Sequence, residues 1–167
     1  MQVSMYEFLV PAANRMLGNL ALLLDKAEEF ATARKVEPAV LLGSRLAPDM
    51  FPLTRQVQIA CDMVKGAAAR LSGTDIPSFP DTEASIAELK SRMTKTLDFI
   101  NGIEAAKFAG SEDREIVIAM RSGELRFKGL NYLREFVLPN FYFHATATYA
   151  ILRHNGVEIG KNDFIGK

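Results

Sequence analysis

This chain lacks most of the features that announce a function. It has one cysteine, Cys61, so it can build neither an internal disulfide nor a multi-cysteine metal site. That cysteine usage, with no signal-like segment at the N-terminus, predicts the reducing cytoplasm as its compartment. Net charge is missing too, since 20 basic side chains meet 20 acidic ones. Nucleic acids and anionic membranes are gripped by basic stripes, so neither is expected as a partner. No uninterrupted apolar run approaches the ~20 residues that span a bilayer. The stretch Gly156–Gly160 is read as having no helix after it, and Gly160-Lys161 is no phosphate-loop ending. The 167 residues read as one domain, 1–167, able to bury about two-thirds of its unfolded surface without cross-links.

The apolar residues are periodic. From Ser4 to about Arg34, Leu9, Ala13, Leu17, Leu20, Leu24, Ala27 and Ala31 recur in steps of three and four, which is one face of a helix. Pro11 inside this segment predicts a kink or a helix start beside it. A short turn and helix follows over Val36–Arg45. Asp49 then reads as a cap, with Pro52 in the first turn of a second long helix that ends at Ser72-Gly73. A proline-containing connector leads to a third helix, starting at Asp81 or Thr82 or at the Ser85/Glu88 capping pair, and running to Asn101-Gly102. Its apolar face is Ile86, Leu89, Met93, Leu97 and Ile100. The period then changes to two: Arg114–Met120 and Glu124–Lys128 flank Arg121-Ser122-Gly123 as a β-hairpin. Two strands alone are marginal in water, so the hairpin must pack on the helices or on another subunit. The last helix spans about Leu130–His154, with a bend predicted at Pro139 and an end at Asn155-Gly156. The tail to Lys167 should lie on the surface. The sum is an all-α four-helix bundle with a small hairpin between its third and fourth long helices. The long connection between helices two and three lets two neighbours run parallel.

Polar residues interrupt two of the apolar stripes. In the last helix, Asn140, His144 and Thr148 share one face at i±4. In the second, Gln56 stands on the apolar side, while Arg55, Gln58, Asp62 and Lys65 are assigned to the outer side. Buried polar groups must be bonded, so Gln56, Asn140, His144 and Thr148 are expected to face one another or a small-ligand cavity. The same four could instead serve only to fix helix register. His144 is the sole plausible metal donor among them, and zinc-like ions take about three protein ligands. His154 lies ten residues further on, rotated away; with Arg153 it suits the negative end of its helix. Cys61 is expected to be buried and inert. Met50, Met63, Met93 and Met120 read as core gap-fillers. Phe141, Tyr142 and Phe143 in succession surround the helix, so at least one must meet solvent or a partner, which points to a homodimer.

Two stretches also carry a resemblance. Arg45-Leu46-Ala47-Pro48-Asp49-Met50-Phe51-Pro52-Leu53 with Gln56-Val57-Gln58 resembles a signature of the DUF1993 family. So does Leu138-Pro139-Asn140-Phe141-Tyr142-Phe143-His144, continuing through Tyr149–Gly156. The family is a bacterial group within the DinB/YfiT-like superfamily. The resemblance implies a four-helix bundle in up-down-down-up order, often dimeric. Many relatives hold a divalent metal with three histidines, one on the second helix and two on the last, and use it with low-molecular-weight thiols. Carried onto this chain, those positions fall on Gln56, His144 and Thr148, so one histidine of three has a counterpart and a resident metal is disfavoured. Two readings follow: a dimeric small-ligand-binding or cryptic bundle with a degenerate metal site, or a metal-dependent, thiol-transferase-like enzyme using His144. A purely structural partner protein is the third.

Overall fold

The computed structural model describes residues 4–120 and 123–167. Four long helical segments make the core: α1 (Met5–Arg34), α3 (Leu53–Ser72), α4 (Ile86–Asn101) and a last helix whose main part is α6 (Leu138–His154). Short α2 (Pro38–Gly43) leads into α3. α6 is the continuation of α5 (Gly129–Asn131) and a π-helical turn, Tyr132–Val137. Ser4 caps α1 and Ser85 caps α4, each with a glutamate three residues on that completes a capping box. Of the starts open for the third helix, Ser85 is therefore the one used. Asp49 is no cap: it sits in a turn, and Pro52 stands ahead of Leu53 without a side-chain hydrogen bond. Pro11 lies within α1, which begins two turns earlier and runs through it. Pro139, which has no N–H to give, follows directly on the wider π-turn.

Side-chain pairs fix the direction of every long helix. Asn14 bonds Asn101 and Asp25 pairs with Lys90, so α1 and α4 are antiparallel. Gln58 meets Glu83 just ahead of α4, and Asp62 meets Arg92 within it, so α3 and α4 run parallel. Gln56 meets His144 and Arg70 meets Tyr132, which sets α6 antiparallel to α3. The order is up-down-down-up. A parallel α3–α4 pair needs a crossover the length of the twenty-residue α3, about 30 Å at 1.5 Å per residue. The extended connector 73–85 supplies it. Gly73 turns the chain out of α3 at φ +72°, a left-handed conformation that favours glycine.

β1 (Glu115–Met120) and β2 (Gly123–Lys128) pair antiparallel, with Ile116 opposite Phe127 and Ile118 opposite Leu125. The expected turn residues Arg121 and Ser122 lie outside the described residues. The hairpin's base packs on the bundle through buried Ile116 and through Phe127, whose ring meets Tyr132 and Phe136 at 6.1 and 5.7 Å. Gly129 then starts α5 hard against the Ser111 carbonyl, where any Cβ would collide. The tail packs on α1: Arg15 donates to the Ile165 and Gly166 carbonyls, Asn19 to Phe164, and Lys26 pairs with Asp163. A helix does follow Gly160, contrary to expectation, but α7 (Lys161–Ile165) is a single turn that Asp163 caps from within. Of the four methionines read as gap-fillers, Met93 is buried and Met50 and Met63 partly so, whereas Met120 is exposed because the hairpin's far end leaves the bundle. Among the described residues, no helix is long and apolar enough to cross a membrane.

Candidate functional site

The Gln56–His144 pair joins α3 to α6 across the bundle core. His144 Nδ1 lies 2.7 Å from Gln56 Oε1, and both side chains are buried. Gln56 Nε2 donates to the Phe51 carbonyl at 3.0 Å. A carbonyl only accepts, so it fixes which end of the amide is nitrogen. Oε1 therefore faces the imidazole, and Nδ1 must carry the proton. In the neutral ring that leaves Nε2 with a free lone pair. Nε2 makes no hydrogen bond among the described residues, and 9% of the residue remains exposed. Burial holds the His144 pKa below its ordinary 6.5, and the positive charge of nearby Arg55 adds to the effect. The result is a neutral, tautomer-locked imidazole. Phe143 stands edge-on to it, ring centroids 5.2 Å apart, and is 56% exposed.

The other two candidate residues do not join this pair. Thr148 is fully buried, and its hydroxyl donates to the His144 carbonyl at 2.9 Å. Asn140 is half-buried and donates to the Phe136 carbonyl at 2.6 Å. Both bond backward within their own helix, as short polar side chains on helices do. The donor set consequently does not fit a resident metal. Gln56 Oε1 is spent on Nδ1, Thr148 is turned to the backbone, and among the described residues no three His, Cys, Asp or Glu side chains form a ligand group.

A second polar cluster lies between α3, α4 and the crossover, where the sequence suggested an outer, wet face. Arg92 is 2% exposed and reaches Asp62 at 3.0 Å, Asp81 at 2.9 Å and Glu83 at 2.9 Å. It also donates to the Pro80 carbonyl. Lys65 pairs with Asp62 at 2.8 Å and lies over the Phe79 ring at 4.3 Å; Gln58 donates to Glu83; Arg55 pairs with Asp81. Gln58 and Lys65 are therefore buried, not outward-facing as the helix period alone predicts, because the crossover lies back along α3 and covers them. Glu83, though desolvation works against its charge, is held below the usual carboxylate range by Arg92 and Gln58. The spacing of Asp81, Glu83 and Arg92 was visible in the sequence, but only the path of the crossover brings them together.

Cys61 is fully buried between these clusters, and burial pushes its thiol up to about 12, so it is no nucleophile at neutral pH. Arg153 and His154 stand exposed in the last turn of α6. Of the three consecutive aromatics, Phe141 is buried while Tyr142 and Phe143 are exposed.

Comparison with known proteins agrees with the fold. A family model described as a domain of unknown function (DUF1993) matches residues 5–165. Among solved structures, a DinB family member protein from Shewanella denitrificans is 44% identical, with a TM-score of 0.90. The match covers 97% of this chain and 92% of that one. No curated protein matches the chain. The chain belongs to the DUF1993 family and has the helical bundle of its DinB-family relative.

Proposed function

We propose that this protein is a metal-independent DinB-like bundle that binds a small molecule at the Nε2 edge of His144. One observation carries the reading: the relay from the Phe51 carbonyl through Gln56 to His144 Nδ1, which leaves Nε2 an unprotonated acceptor. A ligand suited to that edge bears an N–H or O–H donor. The exposed ring of Phe143 favours a flat or apolar body beside it. Arg55, close enough to disfavour a second positive charge, selects against cations. Asn140 and Thr148, whose polar groups are spent on their own helix, contribute shape rather than hydrogen bonds.

The same lone pair supports a second reading, in which His144 acts as a general base, since its lowered pKa keeps it unprotonated near neutrality. That reading requires a pH-dependent activity that His144→Gln abolishes. Elemental analysis of untagged protein purified without chelator separates both from a metalloenzyme. The expected result is no stoichiometric metal and a melting temperature unmoved by zinc, nickel or manganese. A screen of donor-bearing small molecules should then give hits that His144→Ala loses. About one metal per chain, absent from His144→Ala, would overturn the proposal.

A further inference from the structure

Arg70 lies in the last turn of α3 and is half-buried, yet it pairs with no carboxylate among the described residues. Charge taken out of water has to be compensated. Neighbouring Arg114 is already spent: it donates to the Arg70 and Leu71 carbonyls, at the negative end of the helix. The Arg70 side chain lies back over the preceding turn of α3, and its Nη1 donates to the Tyr132 hydroxyl at 3.2 Å. It reaches that position across Gly66, where a Cβ would stand 2.6 Å from Nη1.

Tyr132 is 2% exposed, and its ring is held. It stacks on Phe136, centroids 6.0 Å apart, and packs against Phe127 at 6.1 Å. Burial pushes the phenol above its ordinary 10, although Arg70 pulls the other way, so the hydroxyl keeps its proton at neutral pH. An oxygen that accepts from a guanidinium still has that proton to give, and among the described residues nothing accepts it. Arg70 Nε and Nη2 make no hydrogen bond among those residues either. A cation without an anion therefore stands beside a buried donor without an acceptor. Tyr132 comes twelve residues ahead of His144, about 18 Å along a helix, so this pair is separate from the proposed ligand site and does not depend on it.

We propose that Arg70 and Tyr132 hold a carboxylate group, one oxygen accepting from the Tyr132 hydroxyl and the guanidinium meeting its charge. The class follows from the charge count. One cation and one neutral O–H match a single negative charge, and a planar guanidinium takes a carboxylate edge to edge. A phosphate dianion would bring a second charge, and Arg114 is turned to the helix carbonyls. Because the neighbouring rings hold the phenol in place before anything binds, little is lost in ordering that donor.

Titration with benzoate tests it, against benzamide, which has the same body without the charge, and against inorganic phosphate, all at constant ionic strength. The readout is the Arg70 Nε–H resonance in 1H–15N spectra, assigned through Arg70→Gln. The expected result is saturable movement with benzoate at millimolar Kd, none with benzamide, and phosphate at least ~10-fold weaker. Tyr132→Phe, which removes only the hydroxyl, should weaken benzoate about tenfold. Gly66→Ala is the sharper variant, because its Cβ displaces Arg70 Nη1 and removes no donor. Binding should weaken at least ~10-fold, while the melting temperature holds or rises, since alanine favours helix over glycine. No saturable movement with benzoate would overturn the proposal. So would benzamide binding equally well, or benzoate affinity unchanged in both Tyr132→Phe and Gly66→Ala, which is attraction to a surface charge alone. Phosphate binding as tightly as benzoate would overturn the carboxylate assignment.

Discussion

Two polar clusters flank α3, and they are built on opposite plans. On the α6 side, one amide and one imidazole bond each other and leave a single ring nitrogen without a partner among the described residues. On the α4 side, Arg92, Lys65 and Arg55 face Asp62, Asp81 and Glu83, three cations against three anions, with no net charge left to recruit a ligand. The comparison separates holding from offering. The ionic cluster fastens an extended crossover that has no secondary structure of its own to parallel helices. The Gln56–His144 pair fixes a tautomer and presents a lone pair. Size and burial alone would have ranked the ionic cluster first, although its charges cancel and only Arg92 Nε among its described hydrogen-bonding atoms is buried without a partner.

If that division is right, breaking the ionic cluster costs the most stability. Arg92→Leu leaves Asp62, Asp81 and Glu83 without their shared partner and should lower unfolding free energy by about 3 kcal/mol. Urea denaturation measures this, and hydrogen exchange should show lost protection first along 74–84. Gln56→Leu comes next: it strands the His144 Nδ1–H in an apolar setting, for about 1–3 kcal/mol, while the crossover stays protected. A smaller effect is expected with pH. The folded-state pKa of His144 is depressed, so the unfolded chain binds more protons below its ordinary 6.5. Stability is complete above that value and falls as pH drops toward the folded pKa. His144→Gln should flatten this step in denaturation midpoints measured from pH 8 to 5. Glu83, also depressed, adds a separate loss below its ordinary 4.5 that Glu83→Gln removes. Thr148→Val should change least, within about 1 kcal/mol, because its hydroxyl only bonds back to the His144 carbonyl.

Much of this was legible in the sequence, and the part that was not has a common cause. Apolar steps of three and four marked the long helices, the Ser85/Glu88 pair was available as a cap, and Gln56 and His144 stood out because each interrupts a buried stripe. Those signals are local, or pair one helix face with another. Asn140 and Thr148 shared the stripe with His144, yet short side chains can satisfy themselves on the preceding turn, and periodicity does not show which they do. Gln58, Lys65 and Arg92 were harder still. A helical wheel gives a residue's direction; it does not show that a proline-containing connector returns along α3 and roofs that face. The π-turn before Pro139 likewise depends on how the helix absorbs a missing N–H, which an expectation of a simple bend did not specify.

The most direct test of the account is the tautomer of His144. Long-range 1H–15N NMR of histidine-labelled protein near pH 8, with His154 assigned by substitution, reads the protonation of each ring nitrogen. The account predicts a protonated Nδ1 and a bare Nε2 in His144, a pattern that Gln56→Leu disturbs and added zinc does not. A protonated Nε2 in the wild type, or a stoichiometric zinc-induced shift at Nε2, would contradict it.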